Sequence, residues 1–240
     1  MNVLYVVGTG SKWGDNELRY SLRSICKNAY GLNNVYIVGN VPPFVSPAVN
    51  ALRCDDKCDI PAKNILAKIT AAVKTFADLG EEFLVSSDDH FYIKPVDFDA
   101  YPIHKRGNLP AERQGGSDKN MLADTRRLLK ALRLPATDYC QHANSLVNRT
   151  VFRMLDAAWD LAETMEYGVE PLCVVQNAMA EWAGYQSVER KDCKVGDVKT
   201  RAELLEAIGD RDCFSIYDSA VEVVEPYLRE LFPEKCRFEL

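Results

Sequence analysis

Over roughly the first 95 residues, short apolar runs alternate with segments of helical periodicity. Runs that are almost entirely apolar, as in strands buried on both faces of a sheet, lie at 3–7, 34–38 and 83–85, and a short strand is predicted at 91–93. Segments with apolar residues three and four positions apart, as in amphipathic helices, begin near Asn16 and Ile65. This alternation predicts an α/β fold with a mostly parallel, doubly wound sheet flanked by helices.

The second half of the sequence has mainly helical periodicity. Helices are predicted at about 119–133, 150–166, 172–183 and 219–231. Thr200 and Glu203 have the spacing of a capping box that begins one more helix. Residues 99–119 are irregular and rich in glycine and proline, which predicts a loop. No repeat or linker divides the chain, so we expect one α/β domain over residues 1–240 with a helical C-terminal half.

The composition is typical of a globular protein with a substantial core. Of 240 residues, 47% are hydrophobic and 27% are charged, which excludes a disordered tail and a small disulfide-stapled scaffold. No window approaches the ~18 apolar residues of a membrane span. The formal net charge of -6 argues against a broad nucleic-acid footprint. A local basic groove stays open as an alternative to a solvated loop, because the predicted loop carries His104, Lys105, Arg106, Arg113 and Lys119.

The cysteines and the N-terminus bear on the cellular compartment. The eight cysteines are scattered, without a Cys-x-x-Cys pair. Cys54 and Cys58 could help to hold a metal with ligands from elsewhere, but isolated buried thiols explain them better. The N-terminal apolar run has no basic leader and is too short for a signal peptide. We therefore expect reduced thiols and a cytoplasmic protein.

Two adjacent carboxylates mark the end of the third predicted strand. Asp88 and Asp89 follow the run at 83–85, at the strand end where open α/β sheets bind ligands. A divalent cation between these acids and a phosphate would explain their placement, and a solvated acidic turn is the alternative. Because their side chains diverge in an extended chain, we expect Asp89 to bind the cation and Asp88 to contact a ribose or sugar hydroxyl. His142 would complete a site for Mn²⁺ or Mg²⁺, or else have a structural role.

Glycines and cations in the first third of the chain indicate an anionic ligand. The Gly8-x-Gly10 turn would let the backbone approach a nucleotide, but the second strand ends without the acid that a dinucleotide site requires. Arg19 and Arg23 lie one helical turn apart and suit a diphosphate or a carboxylate, with a solvated face as the alternative. Near the head of the next helix, three side chains could reach a phosphate or a base, or serve solubility alone: Lys63, Asn64 and Lys68.

Several segments resemble two related families of transferases. The Stealth-type capsular polysaccharide phosphotransferases pair an ELRYSLRSI helix with an FLYxNDD strand end, and their central blocks resemble residues 17–24, 34–38 and 83–91. Short phage-type nucleotide-sugar glycosyltransferases with a GT-A-like fold have blocks of the form HxPxxxN, DxKx and LFPxKSxYE, which resemble residues 141–148, 192–195 and 231–239. The order of the blocks agrees along nearly the whole chain.

The resemblance implies a GT-A-like, Rossmann-like fold in which a divalent cation sits on a DxD-like motif and a nucleotide-sugar, with UDP as the expected carrier, binds at the strand ends. Ser87, Asp88 and Asp89 would form that motif, with Asp89 and His142 as metal ligands. Other residues would line the nucleotide (Thr9, Ser11 and Arg19) or face its diphosphate (Lys63 and Lys194). The sequence departs from the pattern at Ser87, where an acid is usual, and at Asn144, where a proline is usual.

The resulting hypothesis is a metal-dependent glycosyltransferase in a bacterial or phage-infected cytosol. It would move a sugar from a UDP-sugar to a hydroxyl of a glycan or of a hydroxymethylated base in DNA, with Asp88 and Asp192 as catalytic candidates and Asp192 as the general base. One alternative is a Stealth-type sugar-phosphate transferase acting on capsular or surface polysaccharide. Another is a module that binds nucleotide-sugar without turnover.

Overall fold

The computed structural model of the protein describes residues 1–111 and 119–240. The strands in this part of the chain are β1 (Asn2–Val7), β2 (Ala29–Tyr30), β3 (Val35–Gly39), β4 (Asn50–Arg53), β5 (Glu82–Ser86), β6 (Phe91–Tyr92), β7 (Val96–Asp97), β8 (Ile103–Lys105), β9 (Ser145–Asn148), β10 (Ser187–Glu189), β11 (Lys194–Val195) and β12 (Cys213–Ile216). The α-helices are α1 (Asn16–Asn28), α2 (Pro61–Thr75), α3 (Lys119–Ala131), α4 (Arg149–Met154), α5 (Asp156–Thr164), α6 (Pro171–Ala183), α7 (Arg201–Ile208) and α8 (Val221–Leu231).

A five-stranded sheet forms the centre of the molecule, in the order β4-β3-β1-β5-β9. The first four strands are parallel, and β9 joins β5 in the antiparallel direction. Val3 in β1 is paired with Val35 on one side and with Leu84 on the other. The predicted α/β fold with a mostly parallel sheet flanked by helices is therefore confirmed.

Helices α1 and α2 follow the predicted periodicity. Leu18, Leu22 and Ile25 of α1 are fully buried, and burying an aliphatic side chain of this size contributes about 1.5–3 kcal/mol. Helix α2 begins at Pro61, four residues before the predicted start. The proline occupies the first turn, where the missing amide hydrogen is not needed.

The C-terminal half is less helical than predicted. The helices at 119–131 and 171–183 are present, but the single helix predicted at 150–166 is two helices separated at Leu155. Strands β9 to β12 were not predicted, and β8 lies inside the segment predicted as a loop. These strands have two to four residues each, which is too short for a recognisable periodicity. Strand β4 was missed for the same reason.

A second, three-stranded sheet lies beside the first, in the order β11-β12-β6. Phe91 of β6 packs on Phe214 of β12 with ring centroids 5.3 Å apart, and Tyr20 of α1 belongs to the same hydrophobic cluster. The side chain of Thr200 accepts the amide hydrogen of Glu203 at 3.2 Å and caps α7 as predicted. This second sheet brings β11 and β12 beside β6, the strand that follows Asp88 and Asp89.

The helices in the described ranges are short, and α2, the longest, has 15 residues. None of those in residues 1–111 and 119–240 is both long enough and apolar enough to cross a membrane. The expectation of one domain over residues 1–240 stays a prediction.

Candidate functional site

The carboxyl ends of strands from both sheets surround one cavity of about 370 Å³, which we call the strand-end cleft. Its walls include Gly8 and Gly10 after β1, Asp88 and Asp89 after β5, Lys194 of β11 and Tyr217 after β12. Ligands of open α/β sheets bind at such strand ends. The cleft is therefore the first candidate for a functional site.

A second cavity adjoins the strand-end cleft and has a volume of about 280 Å³. Asp89 and Lys194 line both cavities. The second one, which we call the inner cavity, also contacts His142 and apolar side chains such as Ile65 and Leu172. Two different molecules bound in these cavities would meet at Asp89 and Lys194.

The carboxylates of the cleft lie close to one another. Asp89 is paired with Lys194 (Oδ2 to Nζ, 3.5 Å) and lies 3.9 Å from the ring Nε2 of His90. Asp88 is partly buried, and this burial, with repulsion from Asp89 and Glu17, raises its pKa to about 7. A cation in the cleft would relieve this repulsion.

His142 and Asp192 form a tightly hydrogen-bonded pair. The ring Nδ1 of His142 lies 2.5 Å from Asp192 Oδ2, and Arg106 contacts the same oxygen at 3.2 Å. Burial opposes ionisation of Asp192, but the hydrogen bonds and charge of His142 outweigh it and lower the pKa to about 2. Asp192 is thus held by both His142 and Arg106, an arrangement that suits a positioning role, and the role of general base stays a prediction.

His90 is buried and makes hydrogen bonds within the protein. Its backbone oxygen accepts a hydrogen bond from Ser21 Oγ at 2.6 Å, and its ring Nδ1 lies 3.4 Å from Ser86 Oγ. Burial lowers the pKa of its imidazole to about 4, so the ring is neutral at neutral pH. His90 thereby anchors the turn that carries Asp88 and Asp89.

The glycine-rich turn after β1 is held by Ser11. The Ser11 hydroxyl donates to Glu17 Oε2 at 2.8 Å and accepts the amide hydrogens of Trp13 and Asp15. Ser11 lines the strand-end cleft, whereas Thr9 is exposed and lies 3.5 Å from Asp56. The turn therefore contributes Ser11 and its glycine backbone to the cleft.

Arg19 and Arg23 bind a carboxylate of this chain. Arg19 contacts Glu239 at 3.0 Å, and Arg23 contacts it at 2.6 Å. Arg19 also stacks over the ring of Phe44, 4.1 Å from its centroid. Of the two expected partners, a diphosphate or a carboxylate, the structure supplies the carboxylate, 216 residues beyond Arg23.

The polar residues of α2 point to partners outside both cavities. Lys63 donates to the backbone oxygen of Glu163 at 3.0 Å. Asn64 is buried and bonds the backbone of the loop before the helix, accepting from the Lys57 amide at 2.9 Å. Lys68 donates to the Val7 oxygen at 2.9 Å. Because α2 starts earlier than predicted, these residues lie in its first turns. There they bond backbone groups of other segments instead of facing a cavity.

The basic residues of the predicted loop do not share one surface. His104 is buried on β8, where burial and Arg190 lower its pKa to about 4. Arg106 is occupied by Asp192. Arg113 lies outside the described residues. These contacts remove His104 and Arg106 from any continuous basic surface.

Sequence reasoning missed several residues at or beside the cleft, among them Tyr217, Gly196 and Glu17. Tyr217 is 56% exposed at the rim, with Lys194 Nζ 4.7 Å from its ring centroid. An added Cβ at Gly196 would lie 2.7 Å from Tyr217 Cδ2, so the glycine makes room for the ring. Glu17 lines the cleft from α1. The apolar run at 213–216 followed by a polar turn was the available signal for Tyr217.

Two potential ligands of a divalent cation, Asp89 and His142, line the inner cavity. No group of three or more His, Cys, Asp and Glu side chains in residues 1–111 and 119–240 is arranged as a metal site. Asp89 and His142 nevertheless line one cavity, and the Asp192 contact resembles the carboxylate that orients a metal-binding histidine. Mg²⁺ commonly uses one or two carboxylates and completes its shell with water and substrate phosphates.

One further polar group in the inner cavity lacks a partner. The buried side-chain amide of Gln141 lines this cavity, and neither its oxygen nor its nitrogen has a hydrogen-bond partner within the described ranges. An unpaired buried amide costs about 1–3 kcal/mol. A polar ligand in the cavity would satisfy it.

Comparison with known proteins gives no assignment. No family model matches the chain, and no curated protein matches it. A proposal for function therefore depends on the side chains and cavities described above.

Proposed function

We propose that the protein is a metal-dependent glycosyltransferase that moves a sugar from a nucleotide-sugar, with UDP as the expected carrier, to an acceptor hydroxyl. The observation that carries this proposal is the pair of cavities that share Asp89 and Lys194 as a common wall. Group transfer requires two substrates that meet at one point, and effective alignment of the reacting groups accounts for much of catalysis. The shared wall supplies such a point.

The charges of the strand-end cleft support a cation requirement. The acids that line it are Glu17, Asp88, Asp89 and Asp218, and the base contributed by the described residues is Lys194. A diphosphate would be repelled by this excess of negative charge. A bound divalent cation would neutralise both the carboxylates and the charge that develops on the leaving diphosphate.

Three residues would hold and orient that cation. Asp89 and His142 line the same cavity and would supply the protein ligands. Asp192 accepts the Nδ1 hydrogen of His142, which leaves the Nε2 lone pair as the available donor. Lys194, paired with Asp89 at 3.5 Å, is placed to contact a phosphate oxygen.

The remaining polar groups suit the sugar and the acceptor. Asp88 projects into the cleft next to Asp89 and can accept a hydrogen bond from a hydroxyl. The exposed ring of Tyr217 offers an apolar face with a polar tip at the rim. The unpaired amide of Gln141 can bond a hydroxyl in the inner cavity.

A thermal-shift screen of nucleoside diphosphates, with and without Mn²⁺, tests the proposal. We expect UDP and Mn²⁺ together to raise the melting temperature of the protein, because a ligand that binds the native state stabilises it. Asp89→Asn should abolish the shift, whereas Asp59→Asn, at an exposed aspartate before α2, should keep it. An equal shift in Asp89→Asn would refute the metal assignment.

The products distinguish the related functions. A glycosyltransferase adds a sugar alone to the acceptor, whereas a sugar-phosphate transferase adds a phosphodiester, and mass spectrometry separates the two. Mn²⁺-dependent UDP binding without donor consumption over a long incubation would instead indicate a binding module. A phosphodiester product would replace the glycosyltransferase proposal with the sugar-phosphate transferase.

A further inference from the structure

The C-terminal segment, residues 232–240, packs against the later turns of α1 and encloses a third cavity. This cavity has a volume of about 590 Å³, larger than the two cavities at the strand ends. Its walls include two thiols among cationic side chains: Arg23, Cys26, Lys27, Lys235, Cys236 and Arg237. None of these residues lines the strand-end cleft or the inner cavity.

Glu239 holds the two cysteine-bearing segments together. Its Oε1 accepts from Arg23 Nε at 2.6 Å and from the backbone amide of Cys236 at 3.1 Å. Arg23 and Cys26 are three residues apart on α1 and therefore share a face of the helix. The same carboxylate thus fixes the backbone of Cys236 against the face that carries Cys26.

The two thiols line the same cavity and differ in acidity. Both cysteines are free and half-buried. The hydrogen bond from Cys236, together with the nearby Arg237 charge, lowers the pKa of the Cys26 thiol. The same contact and burial raise the pKa of Cys236. Cys26 is therefore the better nucleophile of the pair.

We propose that Cys26 and Cys236 are a modification site, a dithiol that a hydroperoxide oxidises to a disulfide between α1 and the C-terminal segment. The cavity that both cysteines line and the clamp at Glu239 carry this inference, which is independent of the function proposed for the strand ends. The surrounding cations favour the thiolate that reacts first.

The chemistry takes two steps. The Cys26 thiolate attacks one oxygen of hydrogen peroxide, the O–O bond breaks, and the hydroxide released takes up a proton to leave as water, giving a sulfenic acid. The Cys236 sulfur then attacks the Cys26 sulfur, the S–O bond breaks, and hydroxide leaves with the Cys236 proton as a second water. Two thiols and one peroxide thus give one disulfide and two waters.

The disulfide would have a measurable effect on stability. It would connect positions about 210 residues apart, close to the full length of the chain. Closing so long a loop restricts the unfolded chain and stabilises the folded protein, provided that the bridge introduces little strain. Because the segments are already held together by Glu239, we expect oxidation to raise the melting temperature.

Mass spectrometry of the native protein tests the inference. The wild-type protein is treated with hydrogen peroxide, free thiols are alkylated, and non-reduced peptides are mapped. We expect a mass loss of about 2 Da per chain before alkylation, one crosslinked peptide pair containing Cys26 and Cys236, and reversal by a dithiol reductant. Cys26→Ser and Cys236→Ser should each abolish the crosslink, and Cys58→Ser, at an exposed thiol, should not.

Other outcomes overturn the inference. If both cysteines are still fully alkylated after peroxide treatment, they are not a redox-active pair. If Cys26 is crosslinked to a different cysteine, or gains oxygen without a crosslink, Cys236 is not its resolving partner. The readout is a peptide mass on the folded wild-type protein, so it does not depend on the stability of either variant, and failure of UDP binding would leave it unchanged.

Discussion

Asp192 accepts two hydrogen bonds from His142, one from the ring Nδ1 at 2.5 Å and one from the backbone amide at 2.8 Å. The two contacts orient the imidazole ring and assign the Nδ1 hydrogen, because an ionised carboxylate can only accept. The ring Nε2 then carries the lone pair, and it is the nitrogen that could bind a metal ion.

Asp192→Asn is expected to weaken Mn²⁺ binding about 10- to 100-fold, which is the usual cost of losing the partner of a metal-binding histidine. The amide can no longer orient and polarise the ring as the carboxylate does. Isothermal titration with Mn²⁺ and UDP measures the change. Asp197→Asn, an exposed position in the following turn, is the control and should bind as the wild type does. Equal affinity in Asp192→Asn would assign the pair a purely structural role.

Lys194→Gln is expected to weaken UDP binding in the presence of Mn²⁺ by about 10-fold or more, because a charge-assisted hydrogen bond contributes about 1.5–3 kcal/mol. The substitution removes the base that lines the cleft but keeps a side chain of similar length. Displacement of a fluorescent UDP analogue gives the affinity. Lys191→Gln, at an exposed lysine three residues earlier, is the matched control. Unchanged affinity in Lys194→Gln would exclude a phosphate contact.

Gly196→Ala is expected to displace Tyr217 and to weaken donor or acceptor binding with little loss of stability. The added Cβ would lie 2.7 Å from Tyr217 Cδ2, and the exposed ring can yield only by leaving its position. A double-mutant cycle with Tyr217→Ala is the measurement. Since both substitutions remove the ring from the same position, their effects on binding should not add. Additive effects would mean that Gly196 acts independently of Tyr217.

Glu239→Gln is expected to destabilise the protein by about 1.5–3 kcal/mol at neutral pH, because it weakens charge-assisted hydrogen bonds to two partly buried arginines. The Glu239 side chain is 0% exposed between Arg19 and Arg23. Burial opposes its ionisation, but Arg23 outweighs burial and lowers the pKa. The ionised carboxylate therefore stabilises the folded protein at pH values above the ordinary pKa of glutamate. This contribution to the free energy of unfolding is lost as the pH falls through the lowered pKa of Glu239. Urea unfolding from neutral pH to pH 3 should show the wild type and the variant converging in acid, and a constant difference would contradict the assignment.

The free energy of unfolding is expected to decrease less in His104→Gln than in the wild type when the pH is lowered from about 6.5 to 4. Burial, with the nearby Arg190, lowers the pKa of His104 from its ordinary value of 6.5 to about 4, and Asp212 opposes this shift weakly. The unfolded chain therefore takes up a proton at this histidine before the folded protein does, and stability falls as the pH drops below 6.5. The whole contribution is about 3 kcal/mol. Urea unfolding at a series of pH values measures it, and an unchanged slope in the variant would show that His104 does not titrate in this way.

The central sheet was predictable because its signals are local. Strands β1, β3 and β5 are continuous apolar runs, and α1 has its apolar residues on one face. The position of Asp88 and Asp89 at a strand end followed directly from such a run. In contrast, β9 to β12 have two to four residues, and their hydrogen-bond partners lie elsewhere in the chain. Their formation depends on tertiary contacts that a short window of sequence does not contain.

The sequence by itself determined the order of the main strands and helices, the mostly parallel sheet, and the acidic strand end, since all of these follow from apolar periodicity and from residues adjacent in the chain. Only the tertiary structure decided the partners of the charged groups. It directed Arg23 to Glu239, brought Asp192 to His142 50 residues earlier, and placed Lys194 against Asp89, 105 residues away. The physical reason is that a charged side chain pairs with whichever opposite charge the folded backbone brings within a few ångströms, and that distance is set by the packing of the whole chain rather than by any local pattern.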